Sequence, residues 1–305
     1  MYEVAVLMST YNGEKYLREQ VKSIFQQEQV KVSLYVRDDG STDNTIKIIN
    51  ELQKEYDNIF LIKGENIGWR RSFRYLIDNV PTKYEYYAFS DQDDFWLKRK
   101  LIRAIELMGK SSEPTLYCSA QTMVDKDLNI IKKDVHMIPV NKFQGMTNIA
   151  SRGCVEVFNT DLLYKLKEYA PKENFAHDRW VARVALYTGK VIFDKESYIL
   201  YRQHEDNASG NNSHASFKEK CKNALGNYRQ HDFYYWYAKE LLEGYKEELG
   251  EKEKEWLSLM VSAKRNIGSK LKLLFSNNFV SETKFGTTLL QIVMILGLYQ
   301  RKYKC

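Results

Sequence analysis

Three carboxylates crowd the stretch SDQDDFW, where Asp91, Asp93 and Asp94 are interrupted only by Gln92. Their mutual repulsion is unfavourable unless water, hydrogen-bond donors or a cation offsets it. Carboxylate oxygens gathered this closely suit a hard divalent ion such as Mg²⁺ or Mn²⁺. An ion so held bridges diphosphate oxygens and neutralises a departing nucleotide. The plainer alternative is a solvated acidic turn opening the next helix. Two further polar clusters, Thr10–Tyr11–Asn12 and Asp38–Asp39, lie upstream, each at the end of an apolar run.

Those runs are the elements that must position the acids. VAVLMST (4–10) reads as a buried parallel strand, followed by Leu17, Val21, Ile24 and Phe25 at helical spacing. VSLYV (32–36) repeats the scheme before the turn at Asp38–Gly40. The helix after that turn holds Ile46, Ile48, Ile49 and Leu52, with Asp43 or Ser41 available as its cap. NIFLIK and RRSFRYLIDNV form a third unit, and YEYYAFS leads straight into the acidic cluster. Alternating strands and helices predict a mostly parallel sheet flanked by helices. In such sheets ligands bind beyond the carboxyl ends of the strands, where all three polar clusters fall.

Past Leu116 the spacing predicts a strand at TLYCSAQTMVD, a turn and strand at SRGCVEVF, and a helix from near Asp178 to Gly189. KVIFDKESYILYRQH reads as a strand pair ending at His204. A polar loop, NASGNNS, then precedes a helical region, so we expect one domain over 1–210 and a helical C-terminal extension over 211–305.

With 305 residues, 44% of them apolar and only four prolines, the chain can bury a substantial core and is not a disordered one. Cys118, Cys154, Cys221 and Cys305 show no zinc or disulfide spacing and read as free thiols. The start, MYEVAVLMSTYNG, has no basic segment followed by a long apolar run, so we expect no signal peptide and a cytoplasmic location. Residues 264–305 carry eight Lys/Arg and one acid, a local charge of +7, against −1 for the rest. Basic charge confined to a tail argues against a nucleic-acid partner, which would draw it around the active cleft.

In order, the segments MSTYNGEKYLREQVKSI, RDDGSTDNT, ENIGWRRSF, SDQDDFW and HDRW resemble glycosyltransferase family 2, the GT-A-fold enzymes that use nucleotide-sugars. The resemblance covers roughly residues 3–210, and the forms DQDD and YRQH look most like bacterial rhamnosyltransferases of cell-wall and capsule assembly. It implies a metal-dependent, inverting transfer from a nucleotide-diphosphate sugar to a glycan or lipid-linked glycan. The best-matching donor is dTDP-rhamnose, the alternative a UDP-hexose. By the same resemblance Thr10, Tyr11, Asn12, Asp39, Asn66, Arg71, Asp91, Gln92 and Gly153 bind the donor. Asp91, Asp93 and His204 hold the metal, and Gly153 and Cys154 make a small-residue turn facing the sugar.

Asp178 matches the catalytic base, and a carboxylate suits the role because it is ionised at neutral pH. His177 is the rival base, and His177 and Trp180 are expected on the acceptor side, with an aromatic face for a sugar to stack on. Asp178 as an N-cap, Asp39 as a turn cap and Arg71 as a surface ion pair are the structural alternatives. Ser72 stands where the family often has Asn.

Rival functions fit less well. Aspartate-nucleophile phosphatases carry DxD on the first strand, with Thr or Val where this chain has Phe95, and no GxGxxG follows the first strand. A non-catalytic partner would not need Asp39, Asp91, Asp93, Asp178 and His204 together. At the C-terminus, a helix over Phe285–Tyr299 would be about 22 Å long, short of the ~30 Å hydrocarbon core. We therefore expect a peripheral anchor on the inner face of the plasma membrane. The alternative is a helix docked on the catalytic domain or in a homodimer interface.

Overall fold

The structure, a computed structural model, describes residues 1–135, 141–148, 151–204, 234–281 and 284–296. The chain opens with three strand–helix units: β1 (Tyr2–Thr10) and α1 (Leu17–Phe25), β2 (Val30–Asp38) and α2 (Thr45–Glu55), β3 (Ile59–Lys63) and α3 (Trp69–Asn79). Strand β4 (Tyr86–Ser90) follows and pairs in parallel with β1, opposing Met8 to Ser90. Val4, Ala5, Val6, Leu7 and Met8 are all fully buried, because helices cover both faces of this parallel half. That is why the first strand reads as an unbroken apolar run.

Beyond the acidic segment come β5 (Phe95–Trp96), α4 (Lys100–Met108), β6 (Thr115–Val124) and β7 (Ile130–Val135). Then follow α5 (Lys142–Asn148), a 3-10 turn at Gly153–Val155, β8 (Glu156–Asn159), α6 (Thr160–Glu168), α7 (His177–Thr188) and β9 (Lys190–Arg202). The sheet order is β3-β2-β1-β4-β8-β6-β9-β5, with β7 on β6. Strand β8 runs antiparallel to both β4 and β6, so the sheet is parallel on one side of it and mixed on the other. The order reverses between β1 and β4, which puts the crevice for a ligand at the ends of those two strands.

Helix α7 stops before Gly189, as its sequence predicts. The strand pair expected over 190–204 is instead one continuous 13-residue strand. Register shifts against β6 between Ser119 and Thr122 absorb the polar residues that suggested a break. The cap of α2 falls on Asn44, although Asp43 Oδ1 still accepts from the Thr45 amide at 2.9 Å.

The C-terminal region contributes α8 (Tyr234–Tyr245), α9 (Glu251–Ser262), α10 (Ile267–Leu274) and α11 (Lys284–Ile295). Tyr237, Leu241, Leu257 and Met260 belong to the same continuous buried cluster as β1, so these helices share the core of the sheet domain. The boundary expected near Asn211 and the cations Arg301, Lys302 and Lys304 lie outside the described residues. Helix α11 docks one side, burying Leu289, Leu290, Val293 and Met294. Ile292 and Ile295 remain exposed. Among the described residues no helix is long and apolar enough to cross a membrane.

Candidate active site

The loops after β1 and β4 are stitched across the reversal point by one side chain. Gln92 Oε1 accepts from the Tyr11 amide at 3.0 Å, and its Nε2 donates to the Tyr11 carbonyl at 3.1 Å. Asn12 adopts φ 47° and holds the loop after β2, its Oδ1 accepting from the Thr42 amide at 2.9 Å. Thr10 is buried and donates to Asp38 Oδ1 at 3.2 Å. Gln92, expected in donor binding, thus spends its amide on the backbone beside the site.

Asp38, not Asp39, caps the turn at Gly40: its Oδ2 accepts from the amides of Gly40 at 3.2 Å and Ser41 at 2.9 Å. Gly40 has φ +82°, and a Cβ there would lie 3.1 Å from the Asn66 amide nitrogen, so the turn needs glycine on two counts. The carboxylate of Asp39 fastens the loop before α3. It accepts from the amides of Ile67 and Gly68, both at 2.9 Å, and from the Arg37 guanidinium. Of roughly four lone-pair positions on a carboxylate, one on Oδ2 remains for a ligand N–H. Asn66 is exposed and accepts from the Gly68 amide at 3.2 Å. Ser72 is buried, and its hydroxyl accepts from Ser9 and from the Arg37 guanidinium.

The acidic loop is organised by Arg202, which the sequence reading passed over. Its amide donates to Asp94 Oδ1 at 3.1 Å and its Nε to the Asp93 carbonyl at 2.8 Å. The rest of the buried guanidinium reaches the Lys126 carbonyl and Glu19. Two residues on, His204 Nε2 lies 2.8 Å from Asp93 Oδ2. Asp94 is fully buried, and its Oδ2 has no hydrogen-bond partner among the described residues. Asp91, Asp94 and Cys154 offer ligand atoms within 4.8 Å of one another.

Burial, reinforced by the charges of Asp93 and Asp178, pushes the Asp91 carboxyl up to about 7. Burial and the neighbouring Asp93 and Asp91 hold the Asp94 carboxyl well above its usual range. A buried, unpartnered oxygen among carboxylates that resist ionising together is what a divalent cation would relieve. The oxygens of Asp91, Asp93 and Asp94 with the His204 ring suit Mg²⁺ or Mn²⁺. Cys154 does not, because burial and the adjacent acids push its thiol well up and keep it neutral. Asp94, which the sequence reading left out of the ligand set, joins Asp91, Asp93 and His204 as a candidate ligand by its position.

Asp178 enters on the first turn of α7, and its charge is felt by Asp91, Glu156 and His177. Among the described residues, its Oδ1 accepts from its neighbour's amide, Arg179 N, at 2.7 Å. His177 is buried in an aromatic cage, stacked on Phe73 at 3.8 Å and edge-on to Phe89 at 4.6 Å. Desolvation pulls its imidazole down to about 4, so the ring is neutral at physiological pH. A Cβ on Gly153 would sit 2.3 Å from His177 Nε2, which is why that turn carries glycine.

Two expectations need correction. Trp180 and His177 do not present ring faces to an acceptor: Trp180 is 2% exposed and stacks on Phe175 at 5.4 Å, because α7 turns that side toward the core. Both reach only the floor of a groove of about 350 Å³, shared with Arg70, Arg71 and Arg74. Arg71 lines that groove, and none of the carboxylates 91–94 does. The cation whose field lowers Asp91 is instead Arg152, at the turn before Gly153, set over the Tyr201 ring at 5.0 Å. The SRGC segment held that signal. Lys100 and Glu156, buried beneath the site, gave none, since each reads as an ordinary charge in a helix or strand.

A sheet reversing at β1/β4 with carboxylates at its mouth and a further acid on a facing helix defines a GT-A nucleotide-sugar transferase. The sequence model of the family described as Glycosyl transferase family 2 matches residues 5–161, and the chain belongs to that family. It is 33% identical over 251 residues to dTDP-rhamnosyl transferase RfbG of Shigella flexneri, spanning 77% of this chain and 82% of the relative. An uncharacterized glycosyltransferase of Rickettsia typhi is 25% identical over 66% of this chain and 64% of its own length. Among solved structures, Staphylococcus aureus TarS 1-349 in complex with UDP-GlcNAc superposes with a TM-score of 0.59 at 16% identity. That match covers 97% of this chain and 81% of that one. The mannosyltransferase PcManGT of Pyrobaculum calidifontis, in complex with GDP-Man and Mn²⁺, gives 0.54 at 14%, covering 98% and 88%. The protein is a glycosyltransferase with the GT-A fold.

Proposed function

We propose that this glycosyltransferase moves L-rhamnose from dTDP-rhamnose onto a growing cell-surface polysaccharide, with inversion at the anomeric carbon and dependence on Mn²⁺ or Mg²⁺. The observation that carries it is the cluster at the end of β4: Asp91 and Asp94 offer ligand oxygens within 4.8 Å of each other, and His204 Nε2 lies 2.8 Å from Asp93 Oδ2. The dTDP-rhamnosyl relative, 33% identical over most of both chains, supports the donor.

In this reading the loops after β1, β2 and β3 receive the nucleotide, with Thr10, Tyr11, Asn12 and Asn66 along its path. The remaining Oδ2 position of Asp39 accepts from the base N3–H. Asp91, Asp93, Asp94 and His204 would hold a divalent cation, which would supply charge neutralisation for the departing diphosphate. Arg152 adds positive charge on the same side. The acceptor hydroxyl attacks the anomeric carbon opposite the leaving diphosphate. The carbon–oxygen bond to the nucleotide breaks as the new glycosidic bond forms, and Asp178 takes the hydroxyl proton. One carboxylate outside the cation site suffices for this single displacement.

A thermal-shift screen tests the donor. With Mn²⁺ present, dTDP-rhamnose should raise Tm through preferential binding to the folded state, and more than UDP-hexoses at equal concentration. A larger rise with a UDP-hexose would reject rhamnose while keeping the transferase reading.

A further inference from the structure

Helices α10 and α11 pack on each other, and the turn between them is held to α5. Gln291 Nε2 donates to the Leu274 carbonyl at 3.1 Å, joining the two helices, and Thr147 Oγ1 of α5 donates to the Val280 carbonyl at 2.7 Å. Their inner sides are buried through Leu273, Leu290 and Val293.

Their outer sides are not polar. Ile267, Leu271 and Phe275 recur every four residues, so they share one face of α10 and its C-cap, at 76%, 48% and 85% exposure. On α11, Phe285, Ile292, Ile295 and Leu296 are exposed as well. Seven of the eighteen exposed large hydrophobic residues among those described therefore lie within 267–296, a concentrated patch and not the usual scatter. Residues 265–296 carry Arg265, Lys270, Lys272 and Lys284 against a single acid, Glu282.

We propose that α10 and α11 together make an interfacial membrane-contact face that rests on anionic lipid headgroups. Helices of 8 and 12 residues are about 12 and 18 Å long, far short of the ~30 Å needed to span, so they lie in the surface plane. The charge decides between occupants. Isologous pairing with a second copy would oppose a face of cations to itself, whereas phosphate headgroups complement it. The proposal does not depend on which sugar is moved.

The test is sedimentation of the full chain with vesicles of phosphatidylcholine alone or mixed with phosphatidylglycerol. Binding to the mixed vesicles, weakened by salt, is expected. The triple variant Phe275→Ser/Ile292→Ser/Ile295→Ser should bind about tenfold less, and Lys270→Glu/Lys272→Glu should lose binding to mixed vesicles to a similar degree. Both should keep the wild-type melting curve and donor hydrolysis, since all five side chains lie away from the carboxylates. Failure of wild type to bind either vesicle overturns the proposal, as does full binding by both variants. It is equally overturned if light scattering shows a dimer that the triple variant dissociates. Loss of donor hydrolysis in wild type would instead count against the transferase reading alone.

Discussion

The backbone amide of Arg202 is hydrogen-bonded to Asp94 Oδ1 at 3.1 Å, joining the end of the last sheet strand to the acidic loop 108 residues earlier. The same residue's side chain closes on the Asp93 carbonyl, so a buried arginine sets the shape of the loop without offering its charge to a ligand. Arg202→Ala should therefore lower stability by about 2–4 kcal/mol, through the carbonyls it leaves unpaired. Arg202→Lys should recover little of this, because an ammonium cannot match the guanidinium fork. Chemical denaturation, read beside the Mn²⁺-dependent rise in Tm, measures both effects.

Asp178 faces the carboxylates but shares no hydrogen bond with them among the described residues. Replacing it with Asn should cut transfer by about 10²–10⁴-fold. The donor-induced Tm shift should persist, because the cation ligands are intact. A rate within threefold of wild type, on the order of half a kcal/mol, would remove Asp178 from the mechanism.

His177 gives a pH signature. Its folded-state value, about 4, lies below the ordinary 6.5, so the unfolded chain binds more protons between those values. Stability from this residue is then complete above about 6.5 and is lost as pH falls toward 4. The loss is on the order of 3 kcal/mol for this nearly dry ring. His177→Phe should flatten that part of the Tm–pH curve and preserve the stack on Phe73. It should also leave the pH–rate profile near neutrality unchanged; a shifted profile would restore His177 as the base.

Asp94→Asn separates cation binding from folding. With burial and two neighbouring carboxylates opposing its ionisation, the neutral amide should raise the stability of metal-free protein at neutral pH. It should at the same time shrink the Tm increase produced by Mn²⁺. An unchanged Mn²⁺ response would take Asp94 out of the cation site.

How far the residues announced this site differs from loop to loop. The parallel units were plain because β1 and β4 are buried on both faces, and the turn signals at Asp38–Gly40 break the pattern cleanly. The acids were legible as a group because four polar positions in a row cannot be core. Their division of labour was not. Whether Asp39 or Asp38 caps a turn, or Gln92 touches ligand or backbone, depends on side-chain direction, which spacing does not carry. His177 and Trp180 misled for a related reason. Polar and aromatic residues beside a candidate base look like a sugar platform, yet α7 buries that face against Phe73 and Phe175. Arg202 was hidden in a strand, where one charge among apolar residues suggests an exposed edge and not a fully enclosed anchor.

Strand β5 does not lie beside β4. It pairs with β9 at the far edge, aligning Phe95 with Leu200, while β4 sits four places away along the sheet order. The short acidic segment thus reaches the far edge of the sheet, where its landing is shared by α1, through the Trp96 amide on Ser23 Oγ at 3.0 Å, and by the strand Lys190–Arg202. A fragment limited to residues 5–161, the part that matches the family, would possess every aspartate of that span but lack the strand that pairs with Phe95 and Trp96. Donor recognition in such a piece should fail for mechanical reasons, before any question of chemistry arises.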